Sequence, residues 1–375
     1  MAHDEPAAID PGRGDPAMTS PDSADSARPE APAQPVAAEP VWPGVSVIMA
    51  VLDEQAHLAA AVAHALAQDY AGPLEVVIAV GPSDDRTAEV ADELSGSDSR
   101  VHVVPNPTGR TATGLNLALS MARHDIVVRI DGHALIPPDY VRVAVDTLAS
   151  SGADNVGGVM AAEGETTFER AVARGMTSKL GVGSASFHVG GQEGPALTVY
   201  LGAFRRSALD RVGGYDEDFV RAQDWELNHR IRQTGGTVWF TPKLVVTYRP
   251  RPTVGRLARQ YYEYGRWRRA LMRSHEGTVS LRYLAAPAAV VGGVGGAAAG
   301  LAGIVGPKWL LAGWALPLGY LGLVGAGGLA VSRGLPLAVR VQVPKVLATM
   351  HLSWGVGFLT SPRSLVVSSD EEEPA

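Results

Sequence analysis

The chain has no cysteine, which excludes disulfides and thiolate-held metal sites. It also lacks a concentrated basic face of the kind that grips nucleic acid: the formal net charge is −7 over 375 residues, and a nucleic-acid footprint needs clustered cations. Residues 1–42 have almost no large apolar side chains. They cannot bury enough surface to offset chain entropy, so a solvated, disordered tail is expected there. That stretch also has neither the basic start nor the apolar run of a secretory signal. No Walker P-loop and no GxGxxG follows the first apolar strand, which counts against ATPase and dinucleotide-binding readings. HExxH and GxSxG are absent too, against zinc-protease and serine-hydrolase chemistry.

The charge that is present is unevenly spread. Residues 1–40 carry eight acidic and two basic side chains, and Asp370, Glu371, Glu372 and Glu373 close the chain. Setting aside these −6 and −4 contributions from the total of −7 leaves the middle at +3. Residues 363–375 thus form a second, acidic tail.

Residues 43–280 alternate strand-like and helix-like patterns. Val45 to Ala50, Leu74 to Val80, Val101 to Val104 and Ile126 to Ile130 are short apolar runs. Between them, Gln55 to Gln68, Arg86 to Leu94 and Gly114 to Ala122 show helical spacing. Strand–helix repetition implies an α/β fold with a mostly parallel sheet flanked by helices. Ligands in such sheets bind beyond the carboxyl ends of the strands, so the residues after each strand are the candidates for chemistry.

Residues 281–362 differ again. Leu284 to Gly306 and Trp309 to Ser332 are uncharged runs of 23 and 24 residues, each long enough to cross a hydrocarbon core of about 30 Å as a helix. From Leu335 to Thr360, Arg340, Lys345, Pro336 and Pro344 interrupt the pattern. An interfacial or re-entrant piece is expected, followed by a short apolar helix from Val346 to Leu359, giving two or three membrane segments. Nine arginines lie between Arg249 and Arg282, and only Lys308 separates the two long runs. The positive-inside rule then puts the large domain on the cytoplasmic side of a multi-pass protein of the cytoplasmic membrane.

Four clusters carry candidate chemistry. Asp131 and His133, after the fourth strand, are two apart and would share a side if extended; they suit Mn²⁺ or Mg²⁺ bound to a diphosphate, or a plain turn. Asp224 falls at a helix start, where a carboxylate serves equally as a proton acceptor or as a helix cap. Gln260, Arg266 and Trp267 lie in a cation- and aromatic-rich stretch that suits either pyrophosphate binding or anchoring at a membrane interface. Asp53-Glu54 and Ser83-Asp84-Asp85-Arg86-Thr87 follow the first two strands and could line a nucleotide pocket, or Ser83 could cap the next helix.

The order of these clusters resembles family-2 glycosyltransferases of the GT-A fold over residues 43–270. The resemblance is closest to the succinoglycan-biosynthesis type, through VRIDGHALIPPDYV from Val128, VYLGAFRR from Val199, QDWELNHRIRQTGG from Gln223, RQYYEYGRW from Arg259 and HLSWGVGF from His351. It implies an inverting transfer from a nucleotide-sugar donor to a lipid-linked or other saccharide acceptor in exopolysaccharide or cell-surface glycan assembly. It places Asp131 and His133 at the DxD metal motif, with His in place of the second Asp. Asp224 matches the catalytic Asp of the ED motif, with Gln223 in place of Glu. Glu54 and Asp85 match donor-site positions, although Asp53 replaces an Asn and Val80-Gly81 replaces the Asp that reads the base. Gln260, Arg266 and Trp267 resemble a QxxRW element with altered spacing. A processive synthase that exports its product, or an inactive binding protein of the same fold, are the alternative readings; the first would need more membrane helices.

Overall fold

The computed structural model describes residues 42–366. The tail expected over 1–42 lies outside them except for Trp42, and the acidic tail over 363–375 lies outside them beyond Val366. The expected strands form at Val45–Val51 (β1), Leu74–Val80 (β2), Val101–Pro105 (β3) and Ile126–Arg129 (β4). The intervening helices are Leu58–Leu66 (α1), Thr87–Ser97 (α2) and Thr111–Met121 (α3). β1, β2 and β4 are buried along nearly their whole length, which is why they read as continuous Val/Ile runs. Successive side chains point to opposite faces. Val47, Met49, Ile78 and Val128 thus join one core with residues of α1, while Ile48, Val77, Ala79 and Val127 join another with α3.

The second half adds Tyr140–Ser151 (α4), Asn155–Ala162 (β5), Thr167–Met176 (α5), Lys179–Val182 (α6) and Ser186–Val189 (α7). It continues with Gly194–Pro195 (β6), Tyr200–Arg205 (β7), Arg206–Val212 (α8), Gln223–Gln233 (α9) and Val238–Tyr248 (β8). The eight strands order as β3-β2-β1-β4-β7-β5-β8-β6. The sheet is mostly parallel, as expected, with two strands reversed. β7 runs antiparallel to both β4 and β5, and β6 antiparallel to β8. Two reversals cancel, so β5 and β8 point the same way as β1–β4. One edge therefore collects the carboxyl ends of six strands and the start of β7.

Val254–Ser274 (α10) follows β8. Ala285–Val305 (α11) and Ala315–Val331 (α12) form a helical hairpin, then Leu337–Arg340 (α13) and Val343–Leu359 (α14). With their one-turn extensions, Leu281–Val305 and Lys308–Val331 are long and apolar enough to cross a membrane, and little of either is buried against the rest of the chain. Glycine makes the hairpin close: a Cβ on Gly296 would lie 2.5 Å from the Gly313 carbonyl oxygen.

α14 contains the short apolar helix expected over 346–359, and one side of it is covered by protein. Val346, Leu347 and Met350 are fully buried against Ala171, Val172 and Met176 of α5 and Leu257 and Tyr261 of α10. α10 and α14 cross at glycines, where a Cβ on Gly265 or Gly357 would come within 2.0 Å of backbone oxygen. Pro336 and Pro344 do not break helices here; they start α13 and α14, where a missing N–H costs nothing.

Candidate active site

The carboxyl edge is built first as a loop clamp. Three consecutive backbone N–H groups after β1 are received by side chains after β2. Asp53 N–H donates to Ser83 Oγ (3.0 Å), Glu54 N–H to Thr87 Oγ1 (2.7 Å) and Gln55 N–H to Asp85 Oδ2 (3.1 Å). Asp84 N–H returns a bond to Asp53 Oδ1 (2.9 Å). This explains why α1 starts at Leu58 rather than at Gln55, as helical spacing suggested. Asp85 also accepts from the Thr87 hydroxyl and N–H on Oδ1. The Thr87 hydroxyl bond, with the N–H bonds, holds the Asp85 carboxyl below the usual carboxylate range. Both Asp85 oxygens are thus engaged by the chain itself, and Ser83 binds the loop instead of capping α2.

Glu54 is left facing the end of β4, where its Oε1 lies 2.6 Å from His133 Nδ1. That bond, with the charges of Glu54 and Asp131, raises the His133 pKa against the opposing effect of burial. The 131–133 segment is a turn, closed by Ala134 N–H donating to the Asp131 carbonyl (2.9 Å). The extended geometry expected for it does not form; His133 turns to Glu54 while Asp131 faces Arg129.

Arg129 ends β4 and is the only charged residue in the run Ile126 to Ile130. Its side chain is 7% exposed. Nη2 donates to Asp131 Oδ1 (3.0 Å), Nε reaches the same oxygen (3.3 Å), and Nη1 pairs with Asp224 Oδ1. The guanidinium also lies 5.9 Å from the Tyr215 ring centroid. Sequence reasoning gave Arg129 no role, although a lone cation inside an apolar strand is the signal of a buried, paired charge.

Asp224 sits in the first turn of α9. Burial raises its carboxyl to about 6, against the lowering effects of Arg129 and of the hydrogen bond from the Leu201 N–H. Leu201 adopts φ +59° and Ala222, just before α9, φ +65°. With Asp53 at φ +56° these are all the non-glycine residues of positive φ among the described residues. Such backbone costs about 1–3 kcal/mol per residue and collects at functional sites. All three border the carboxylates described above; Leu201 lies in the VYLGAFRR segment, to which no site role was given.

α10 reaches the same edge with Gln260, whose Nε2 donates to the hydroxyls of Tyr248 (2.8 Å) and Tyr264 (3.0 Å). Arg266 and Trp267 are placed otherwise. Arg266 pairs with Glu263 (3.0 Å) and lies over the Tyr262 ring. Trp267 is buried with Phe219 and with Trp225, the residue after Asp224. It supports α9 from behind.

A divalent cation would find few ligands supplied by the chain alone. Among the described residues no three carboxylate or imidazole groups converge as a metal site. The hydrogen bonds Asp131 accepts from Arg129 fall on Oδ1, which leaves Oδ2, and His133 retains Nε2. One or two protein ligands fit Mg²⁺ or Mn²⁺ completed by substrate phosphate oxygens, and do not fit a cation caged by protein.

A family profile described as "Glycosyl transferase family 2" matches residues 46–213. The chain is 33% identical over 288 residues to the succinoglycan biosynthesis protein ExoA of Rhizobium meliloti (strain 1021), covering 76% of this chain and 84% of that one. The chain belongs to glycosyl transferase family 2. It is therefore a glycosyltransferase. It is also 22% identical over 230 residues to a dolichyl N-acetyl-alpha-D-glucosaminyl phosphate 3-beta-D-2,3-diacetamido-2,3-dideoxy-beta-D-glucuronosyltransferase of Methanococcus voltae, covering 59% of this chain and 71% of the relative. Among solved structures, mannosyltransferase PcManGT from Pyrobaculum calidifontis, in complex with GDP-Man and Mn2+, superposes with TM-score 0.54 at 21% identity, covering 86% of this chain and 90% of that one. The fold is thus the GT-A fold.

Proposed function

We propose that this glycosyltransferase moves a sugar from a nucleotide-sugar donor, with inversion, onto a lipid-linked saccharide in exopolysaccharide or cell-surface glycan assembly. The observation that carries the reading is the geometry at Asp224: a carboxylate in the first turn of α9, paired with the buried Arg129 at the edge where six strands end. In this reading Asp224 accepts the proton of the acceptor hydroxyl as its oxygen attacks the anomeric carbon. Arg129 holds Asp131 and Asp224 in fixed relation and keeps Asp224 ionised. Asp131, with His133, faces the donor diphosphate. Glu54 and Asp85 act on the donor through the 53–55 loop, and Gln260 borders the same edge, while Arg266 and Trp267 support the helices around it. Asp131, with His133, would hold a divalent cation, Mn²⁺ or Mg²⁺, that would supply positive charge to the donor diphosphate.

The relatives support the chemistry assigned to the partners. One is named for succinoglycan biosynthesis and another for transfer to a dolichyl-linked sugar, and the superposed mannosyltransferase was solved with a nucleotide sugar and Mn2+. The two long apolar helices, exposed along most of their length, suit insertion in the cytoplasmic membrane with the catalytic domain in the cytoplasm, where nucleotide sugars are made. The test is product analysis. Detergent-solubilised full-length protein is given a panel of nucleotide sugars, Mn²⁺ or Mg²⁺ and a lipid extract, and the linkage formed is read by NMR. A lipid-soluble product of inverted anomeric configuration is expected. Retention of configuration, or transfer only to free soluble sugars, would refute the reading.

A further inference from the structure

Away from the catalytic edge, the end of α10, the start of α11 and the end of α14 enclose an open cleft of about 630 Å³. Its floor is apolar and includes Leu284, Val291 and Phe358. Its rim is cationic: Arg269 and Arg273 line it, and Arg363 follows directly on Pro362, whose carbonyl accepts from Arg273. Among the described residues none of these three arginines has a carboxylate within 4.0 Å, since every ion pair there involves other cations. Arg269 Nη1 donates to the carbonyls of Phe358 (3.0 Å) and Leu359 (3.1 Å), and Arg273 to those of Pro362 (2.9 Å) and Ser361 (2.8 Å). These bonds pin both guanidiniums beside the end of α14 and leave further N–H donors on each. Like charges gathered without counter-charge are costly unless an anion joins them. The apolar floor runs onto the first turns of the exposed hairpin. A soluble phosphate would match only the rim, and an apolar peptide only the floor.

We propose that this cleft binds an anionic glycerophospholipid, its phosphate on Arg269, Arg273 and Arg363 and an acyl chain along Leu284, Val291 and Phe358. The inference rests on the membrane reading of the hairpin given above. Such a site would fix the height of the catalytic domain on the bilayer.

The test uses the full chain in an uncharged detergent and the fluorescence anisotropy of chain-labelled phosphatidylglycerol against phosphatidylcholine. Phosphatidylglycerol is expected to bind more tightly to the wild type. Arg273→Gln/Arg363→Gln is expected to weaken it by about fivefold per arginine removed and to leave phosphatidylcholine unchanged. Arg363→Gln alone guards against misfolding, because that exposed side chain makes no hydrogen bond among the described residues. Equal binding of the two lipids, or no change in either variant, overturns the proposal. Preference for phosphatidylglycerol appearing only after removal of residues 367–375 would make the acidic chain end the occupant, and also overturns it. Flotation with neutral phosphatidylcholine vesicles reads the hairpin separately: a chain that fails to float refutes the membrane reading itself.

Discussion

The guanidinium of Arg129 joins Asp131 to Asp224: Nη2 lies 3.0 Å from Asp131 Oδ1 while Nη1 pairs with Asp224 Oδ1. The two carboxylates come from segments 93 positions apart in sequence, and one buried cation sets their spacing. Replacing Arg129 by Met leaves both facing each other uncompensated. Breaking a buried pair in this way costs about 3–5 kcal/mol. Arg129→Met is expected to lower the denaturation midpoint and abolish transfer. Arg129→Lys, which keeps the charge but not the fork, is expected to recover stability more than activity. Denaturant titration beside a transfer assay checks both.

The pH dependence follows from Asp224. Its carboxyl stands at about 6, and the proposed base must be ionised. Activity is expected to be flat above about pH 7 and to fall about tenfold per unit below about pH 6. A kcat/KM profile measured with saturating Mn²⁺ reads this, and a limb near pH 4 would contradict it.

The same group has a cost in stability. A carboxyl raised on folding binds its proton more tightly in the native chain than in the unfolded one. Its favourable contribution is therefore present below the unfolded value, near 4, and is lost as pH rises through about 6. Asp224→Asn, which mimics the protonated form, is expected to melt no lower than wild type at pH 7.5, and the difference between the two is expected to shrink near pH 4.5. Thermal melts at the two pH values decide this.

The clamp between the first two strands gives a separable expectation. Asp85→Ala removes the acceptor for Gln55 N–H and for the Thr87 hydroxyl and N–H, which unties the 53–55 loop from the start of α2. The loss is expected to appear in donor KM, by about tenfold, with less change in kcat, because Asp85 acts through the loop that carries Glu54. An equal fall in kcat at unchanged KM would place Asp85 in the chemistry instead.

Much of this fold was legible because β1, β2 and β4 are buried on both faces and had to be written as Val/Ile runs. The two uncharged helices were legible for a related reason, since composition alone marks them. β7 was not readable as an antiparallel insertion: Tyr200 to Arg205 has no local signal for direction, which is fixed by pairing with β4 and β5. α14 was apolar enough to suggest contact with lipid, and only packing on α5 and α10 shows that protein covers it. At the site, motif order located Asp131, Asp224 and Glu54. It could not show the positive φ of Leu201 or of Ala222, beside Asp224. Nor could it show that Trp267 lies against Phe219, because similarity of a motif does not fix which side of a helix faces the pocket.

The most direct test of the account compares wild type with Asp224→Asn in donor binding and in sugar transfer, using the same Mn²⁺-containing, detergent-solubilised preparations. The account predicts donor affinity within about threefold of wild type and transfer reduced by about 10²–10⁴-fold, the range contributed by a general base. Transfer at a wild-type rate by Asp224→Asn would contradict it.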